Sequence, residues 1–398
     1  MSARTLRLGV AGLGRAFTLM LPTLVADPRI ALVAAADPRP EARARFAAEF
    51  GARTHPTVEA LCGDPDVDAV YVATPHQHHA AHVLLAAAHG KHALVEKPMA
   101  IALNDCARMI DAVERAGVRL IVGHSHSFDR PIRRTREIVE SGAVGSVKMI
   151  NAQYYTDFLY RPRRPEELDT AQGGGAIFNQ AAHQVDVVRL LGGGRVTSVR
   201  ALTGAWDPAR STEGAYAALL TFADGAFATL TYSGYAHFDG DEFCGGIGEI
   251  GAVKDASRYG AARRNLAQAA TPAGELALKN ARSYGGSAAA TAGEGGDAPW
   301  HQHFGLVLVS CERADLRPLP TGVMVYGDVE ARLEPLPKPA IPRVEVIDEL
   351  YDAIVHGKAP LHDGCWAMAT TEVCLAMLAS ARDGRDVALN HQVGVPTL

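Results

Sequence analysis

The chain has 398 residues, 48% of them apolar and 21% charged, a length that calls for two domains and a composition ordinary for a globular protein. Its net charge of -5 comes without a basic block, which argues against a nucleic-acid partner. The six cysteines are scattered with no C-x-x-C pair, MSARTLRLGVAGLG holds no long apolar segment ahead of its glycines, and no run approaches 18 apolar residues; a cytoplasmic protein with reduced thiols, neither secreted nor bound to a membrane, is expected.

Five short apolar runs, at 6–12, 30–37, 69–75, 92–98 and 119–125, predict strands buried on both faces. Helical patterns such as HHAAHVLLAAAHG and NDCARMIDAVERAG, which end in glycine, lie between most of them. This alternation predicts an α/β domain over residues 1–123, built on a doubly wound parallel sheet. Residues 124–398 predict a second, α+β domain. A helix near 131–141, a strand near 146–155 and a helix over 174–191 come first. Period-2 segments follow, among them AYAALLTF and AFATLTYSGY joined across Asp224-Gly225, a hairpin signal within a mainly antiparallel sheet. Residues 254–300, rich in Ala, Gly and Ser, read as an insertion whose end, GGSAAATAGEGGDAP, is a mobile loop. Helical patterns near 344–356 and 366–382 close the chain.

In GVAGLGRAF (9–17), Gly12 and Gly14 follow the first strand and open a helix. Glycines there let the backbone approach a pyrophosphate, whose charge meets the helix N-terminus. The third glycine of that fingerprint would fall at 17, which is Phe17. Asp37 ends the second strand, where a carboxylate accepts hydrogen bonds from an adenine-ribose 2′-hydroxyl and repels a 2′-phosphate. NAD is therefore the expected cofactor. Arg39, able to serve a phosphate or stack on adenine, leaves NADP open, and the alternative for Asp37 is a helix N-cap before Pro38.

Farther on, GGGAIFNQAAHQVDVVRLL (173–191) spaces Asn179, His183 and Asp186 four and three apart. A helix would set them within a sector of about 60°. Such a face is either functional or simply solvated.

VATPHQHHA (72–80), VEKP (95–98), VGHSHSFD (122–129) and GGGAIFNQAAHQVD (173–186) occur in the order and spacing of the glucose-fructose oxidoreductase, inositol dehydrogenase and MocA (Gfo/Idh/MocA) family, which the chain resembles over nearly its whole length outside the insertion. GVAGLGRAFTLMLPT and DFLYRPRRPEELDTAQGGG resemble the branch of that family that oxidises phthalate 4,5-cis-dihydrodiol during aromatic degradation. The resemblance implies a Rossmann domain binding NAD(P) and a second domain whose open sheet supports a homo-oligomer. It further implies cofactor contacts from Gly12, Leu13, Gly14, Arg15, Asp37, Arg39, Thr74, His79, Glu96 and Lys97. The family's catalytic lysine corresponds to Lys97 and its active-site histidine to His183, with His126 lining the substrate pocket. Its usual aspartate of GGGxxxD corresponds to Asn179.

Oxidising a carbinol needs a hydride acceptor and a base for the hydroxyl proton. Making Lys97 neutral from a reference pKa of ~10.4 requires a shift of roughly three units, whereas His183 starts at ~6.5. His183 is thus the expected base and Lys97 a cation that steadies the alkoxide, with Pro98 biasing Lys97 towards extended backbone. Asp186 either orients the imidazole or pairs locally with Arg189. In YRPRRPEELD (160–169), Arg161, Arg163 and Arg164 offer forks to a carboxylate, and Arg163 and Arg164 are the expected substrate contacts; the alternative is a basic loop paired with Glu166 and Glu167. Asn179 fits an anionic substrate, which an aspartate would repel. The histidines at 76, 78, 79, 124, 126, 301 and 303 show no catalytic zinc spacing, and no metal is expected. The alternatives are a sugar or inositol dehydrogenase, an enzyme using NAD internally for glycoside cleavage, and a non-catalytic dinucleotide sensor.

Overall fold

A computed structural model describes residues 4–269, 271–287 and 299–396. Most of the GGSAAATAGEGGDAP loop therefore lies outside the described residues. The chain divides into two compact units, one of Met1–His124, Leu276–Gly296 and Ile341–Met368, the other of Ser125–Glu275, Asp297–Ala340 and Ala369–Leu398.

The first unit is built on six strands, β1 (Leu6–Ala11), β2 (Ile30–Ala36), β3 (Arg53–His55), β4 (Ala69–Val72), β5 (His92–Val95) and β6 (Leu120–Val122). They are all parallel, in the order β3-β2-β1-β4-β5-β6. Helices α1 (Arg15–Ala26), α2 (Pro40–Phe50), α3 (Val58–Cys62), α4 (His79–Ala88) and α5 (Leu103–Ala116) connect them. Coverage on both faces explains the apolar runs: β4 is buried at every position and β1 at all but one. Gly9 sits where a Cβ would come within 3.1 Å of Leu61 and Val67, so its lack of a side chain lets α3 lie close on β1. The strand order reverses between β1 and β4, and the loops leaving those strands flank the crevice where such sheets bind ligands.

The second unit carries α6 (Arg130–Glu140), β7 (Val147–Tyr155), a wide π-turn over Ile177–Ala181, and α7 (Ala182–Leu191). There follow β8 (Val196–Gly204), β9 (Ala215–Phe222), β10 (Phe227–Ser233), the short α8 (Ala261–Ala267) and α9 (Pro272–Ala281), whose last residues belong to the first unit. The sheet continues with β11 (Leu306–Cys311), β12 (Ala314–Leu319), β13 (Gly322–Gly327) and β14 (Ala331–Pro335). With β15 (Val387–Ala388) these strands form a nine-stranded sheet ordered β14-β13-β12-β11-β7-β10-β9-β8-β15, antiparallel except for the β7/β10 pair. The expected hairpin is β9 and β10, with Gly225 at φ 89° in its turn. From Tyr216 onward strand β9 alternates, Leu220 and Phe222 inward, Leu219 and Thr221 outward, the pattern of a sheet packed on one face only.

The sequence reading differs from this structure in two places. It assigns everything after 123 to the second domain, yet 341–368, with α10 (Val344–Val355), belong to the first unit. There Arg29 pairs with Asp348 at 2.7 Å, Thr23 donates to the Pro342 carbonyl, and Val122 N–H donates to the His362 carbonyl; an amphipathic pattern does not say which core receives it. Helix α11 (Gly364–Asp383) is long and apolar enough to cross a membrane by length and composition, with a mean hydropathy of 1.3, although no apolar run signals it. Small residues, Thr370, Thr371 and Glu372 interrupt its run without lowering that mean much, and 67% of the window is buried in protein, as in a core helix.

Candidate active site

In the first unit Gly12 has φ 92°, and a Cβ there would stand 2.9 Å from the Ala73 carbonyl oxygen and 3.1 Å from the Thr74 methyl. Only glycine fits this conformation and this approach. Gly14 is the N-cap of α1, whose first turn carries no acidic residue, so its orphan N–H groups are suited to an anion. Arg15 is the first residue of α1. Phe17, in the third-glycine position, is fully buried and meets Phe46 and Tyr284 at centroid distances of 5.9 and 5.2 Å. An aromatic cluster thus replaces the close helix packing a glycine would allow. Gly12, Gly14 and the bare helix start fit a dinucleotide pyrophosphate.

The carboxylate of Asp37 takes four N–H bonds. Leu13 N–H (2.8 Å) and Arg39 Nη2 (3.1 Å) donate to Oδ2; Arg39 N–H and Nε, both at 2.9 Å, donate to Oδ1. Arg39 Nη2 also donates to the Leu13 carbonyl at 2.8 Å. The guanidinium that the sequence offers to a 2′-phosphate is therefore clamped on Asp37, and a ribose hydroxyl must displace part of that clamp to reach the carboxylate.

His79 is fully buried, with Nδ1 2.9 Å from the Pro98 carbonyl and Nε2 2.8 Å from the Thr74 carbonyl. The sequence assigns this ring to the cofactor; the structure has it bridge the loops after β4 and β5, because both nitrogens face main-chain oxygens. Burial pushes its pKa down, against the pull of those carbonyls. The Thr74 hydroxyl likewise meets His82 Nδ1 at 2.9 Å, while its methyl group lines the Gly12 cradle. Glu96 accepts from the Tyr71 hydroxyl at 2.5 Å. Burial raises its pKa, opposed by that bond and by the charges of Arg343 and Lys97. The Lys97-Pro98 peptide bond is cis, and Arg343, at φ 54°, is the one non-glycine residue with positive φ among the described residues. Tyr71 and Arg343 escaped the sequence reading, since nothing local marks a buried tyrosine or a distant arginine as companions of Glu96.

In the second unit the glycine run is forced by packing. Gly173 and Gly175 have φ 84° and 80°, a Cβ at Gly174 would lie 2.7 Å from the Glu166 carbonyl oxygen, and one at Gly175 would overlap Glu213 Oε1 at 2.1 Å. Glu213, buried, accepts from Ile177 N–H at 3.1 Å while its own carbonyl takes Ala176 N–H at 2.9 Å. It thereby caps the π-turn that presents Asn179. Asn179, His183 and Asp186 are all buried, at 8%, 7% and 4% exposure, which rules out a solvated face.

Their partners are specific. Asn179 Nδ2 donates to the carbonyls of Gly175 (2.8 Å) and Gly173 (3.4 Å). An aspartate would set a carboxylate against two carbonyl oxygens, so the glycine turn favours the amide whatever the charge of the substrate. Asp186 accepts from Ser127 Oγ and from Thr370 Oγ1 (2.9 Å). His183 packs against His126 edge to face, at 4.8 Å between centroids, and against Phe304 at 5.1 Å. Phe304 in turn touches Tyr154 and Tyr232 at 5.0 and 6.3 Å, giving His183 an aromatic surround that no motif announced. His126 Nδ1 lies 2.6 Å from Asp129, and Nε2 3.6 Å from Glu249. Burial opposes its charge, yet the two carboxylates raise His126 to about 9.

Arg163 departs from its expected role. Its guanidinium is buried 3.6 Å above the Phe158 ring, donates to the Phe158 carbonyl at 2.8 Å and faces Glu167 at 3.7 Å, and desolvation lowers it to about 10. Arg163 thus builds the loop, close to the ion-paired alternative, while the main-chain N–H of Arg164 donates to Glu167 at 2.7 Å. His301 and His303 hold main-chain carbonyls, those of Pro337 and Ile247.

Residues 6–124 match the family model described as the oxidoreductase family with an NAD-binding Rossmann fold, and residues 132–253 match the GFO/IDH/MocA C-terminal domain. The chain is 49% identical over 378 residues, 95% of each sequence, to 1-carboxy-3-chloro-3,4-dihydroxycyclohexa-1,5-diene dehydrogenase of Comamonas testosteroni. A solved structure from Bordetella bronchiseptica RB50 is 45% identical with a TM-score of 0.90, covering 97% of this chain and 100% of that one. Aldose-aldose oxidoreductase from Caulobacter crescentus, 22% identical with a TM-score of 0.72 over 97% of this chain and 100% of its own, shares the fold.

Proposed function

The chain belongs to the Gfo/Idh/MocA family of NAD-binding oxidoreductases, and from that premise we propose that it oxidises a carboxylated cyclohexadiene cis-diol, phthalate 4,5-cis-dihydrodiol or a near analogue, to the catechol in aromatic degradation. The observation that carries this reading is the surround of His183: an aromatic cluster headed by Phe304, with the carboxylate-held His126 packed against both. That combination suits a flat ring bearing negative charge. The named substrate of the Comamonas relative, a ring diol with a carboxyl group, supports the same class.

Bound NAD supplies the hydride acceptor. In the second unit His183 is the base for the hydroxyl proton; in the first, Lys97 is the cation for developing negative charge. The ring hydroxy-ketone so formed tautomerises to an aromatic catechol, which draws the reaction towards oxidation. In the first unit, Asp37 and its neighbours select a free ribose 2′-hydroxyl, and hence NAD. NADH formation followed by absorbance, with ring cis-diols with and without carboxylates and with myo-inositol, tests the reading. Preference for the carboxylated dienes supports it; preference for inositol or a sugar replaces it with the sugar-dehydrogenase alternative.

A homo-oligomer joined through the outer face of the nine-stranded sheet is part of the same proposal. Cross-strand register sets Leu333, Met324, Arg317, Leu308, Asn151, Thr229, Leu219 and Arg200 in one row across that face, with Leu219 44% and Leu333 43% exposed, a row apolar enough for a second copy. Light scattering on Leu219→Asp distinguishes the outcomes: dissociation supports the interface, an unchanged mass removes it. A reducing, cytoplasmic setting accords with six cysteines among which there is no disulfide.

A further inference from the structure

We propose that Tyr284, in the Ala- and Gly-rich insertion, is a positioning residue for coenzyme selection. It sets its carbonyl oxygen against the Arg39 guanidinium, and so helps keep Arg39 on Asp37 and withheld from a 2′-phosphate. Only the first unit and its dinucleotide are involved, whatever the substrate.

Tyr284 belongs, with the rest of Leu276–Gly296, to the first unit, and is 1% exposed. Its ring meets Phe17 edge-on at 5.2 Å and Phe46 at 6.2 Å, with the Arg45 guanidinium 4.9 Å above it. Its hydroxyl donates to Glu49 at 2.6 Å. Phe46, Arg45 and Glu49 all lie on α2, so ring, cation and carboxylate contacts together seat the side chain against that helix. Phe17, standing where the dinucleotide fingerprint has its third glycine, is part of the same seat.

The main chain of this strap is shaped to match. Ser283 N–H donates to the Asn280 carbonyl at 3.0 Å, and Gly286 N–H to the Ser283 carbonyl at 2.9 Å. Gly285 has φ 82°, and a Cβ on it would stand 3.2 Å from the Ala42 Cα. The chain therefore passes close over the first turn of α2, in a conformation that favours glycine.

That turn begins at Arg39, the N-cap of α2. Its guanidinium directs Nε and Nη2 to Asp37, Nη2 also to the Leu13 carbonyl, and Nη1 to the Tyr284 carbonyl, 3.4 Å away and 245 positions on in sequence. Asp37 and Leu13 thus hold one edge of the fork, and Tyr284 meets the nitrogen that they leave. At 3.4 Å this is a long hydrogen bond, so it acts through placement more than through strength. A carbonyl oxygen fixed beside Nη1 presents partial negative charge where a phosphate oxygen would approach the guanidinium. Turning the fork towards a 2′-phosphate also breaks its contacts with Tyr284, Asp37 and Leu13 together. The Asp37 carboxylate repels the extra phosphate, and a cation able to offset that repulsion is held back.

Fluorescence titration of NADH and NADPH on the full chain reads the selection as a ratio of dissociation constants. Tyr284→Ala, which empties the seat, is expected to shift that ratio towards NADPH by about three- to tenfold. Tyr284→Phe keeps the ring and should leave the ratio within about twofold of the wild type. In an Arg39→Ala background Tyr284→Ala should shift it no further, because the effect runs through that guanidinium. Should the alanine variant not fold, Gly285→Ala, whose methyl crowds Ala42 at a strained φ, displaces the same strap with the ring intact and is expected to move the ratio in the same direction. Equal weakening of both coenzymes, an unchanged ratio, or a shift that persists without Arg39 overturns the proposal and leaves Tyr284 as a brace for α2 alone.

Discussion

The imidazoles of His126 and His183 meet edge to face with 4.8 Å between their centroids. His126 is raised to about 9 by Asp129 and Glu249 against the opposing effect of burial, so at neutral pH a positive charge adjoins His183. Those two carboxylates offset that charge, and His183 serves as a base only while its own ring is neutral.

His183→Ala is expected to lower kcat by about 10²–10⁴-fold with NAD affinity unchanged, and to abolish the acid limb of the kcat/KM profile. Lys97→Met loses activity too but keeps that limb. Stopped-flow rates across pH 5.5–9.5, roughly the span of the histidine and lysine titrations, check both. An acid limb that survives in His183→Ala puts the base elsewhere.

Asn179→Asp sets a carboxylate against the Gly173 and Gly175 carbonyls and removes two donated hydrogen bonds. The expected cost is about 2–3 kcal/mol of stability, with kcat reduced alike for charged and neutral diols. Denaturant melts and parallel kinetics provide the check; a penalty confined to carboxylated substrates would support the electrostatic rationale drawn from the sequence.

Asp37→Ala deletes an acceptor of four N–H bonds and releases the Arg39 guanidinium. NAD binding should weaken by about 10–100-fold, equivalent to roughly 1.5–3 kcal/mol, while NADP binding improves as Arg39 becomes available to a 2′-phosphate. Fluorescence titration of NADH and NADPH measures the ratio. A parallel loss for both would mean that Asp37 only braces the Leu13 loop.

The first unit was the more legible in sequence because strands buried on both faces read as unbroken apolar runs; β3, three residues long, is too short to leave a pattern. Gly12, Gly14, Lys97 and His183 were visible because each sits in a local motif. Glu213, Phe304 and Tyr71 were not. Glu213 reaches a backbone N–H 36 positions away, and Phe304 and Tyr71 look like any core aromatic until the fold shows what they touch. The roles of His79 and Arg163 shifted for a related reason: residue type announces a hydrogen-bonding or charged group, but only packing reveals that main-chain carbonyls or a phenyl ring already engage it.

His126 also ties stability to pH. Its folded pKa, about 9, lies above the ordinary value near 6.5, so its contribution is fully present below about pH 6.5 and is lost as pH rises through about 9. The stability of the wild type should fall across that window, relative to His126→Gln, by on the order of 3 kcal/mol. A constant difference between the two proteins from pH 6 to about 9.5 would show that the ring is not a cation in the folded state.

The most direct test of the central claim is isotopic. A carboxylated cyclohexadiene cis-diol deuterated at its carbinol carbons, incubated with the enzyme and NAD, should yield the catechol with one deuterium delivered to the nicotinamide ring, seen by mass spectrometry of the NADH. Catechol formed with unlabelled NADH, or no reduction of NAD while a sugar or inositol is oxidised readily, would contradict it.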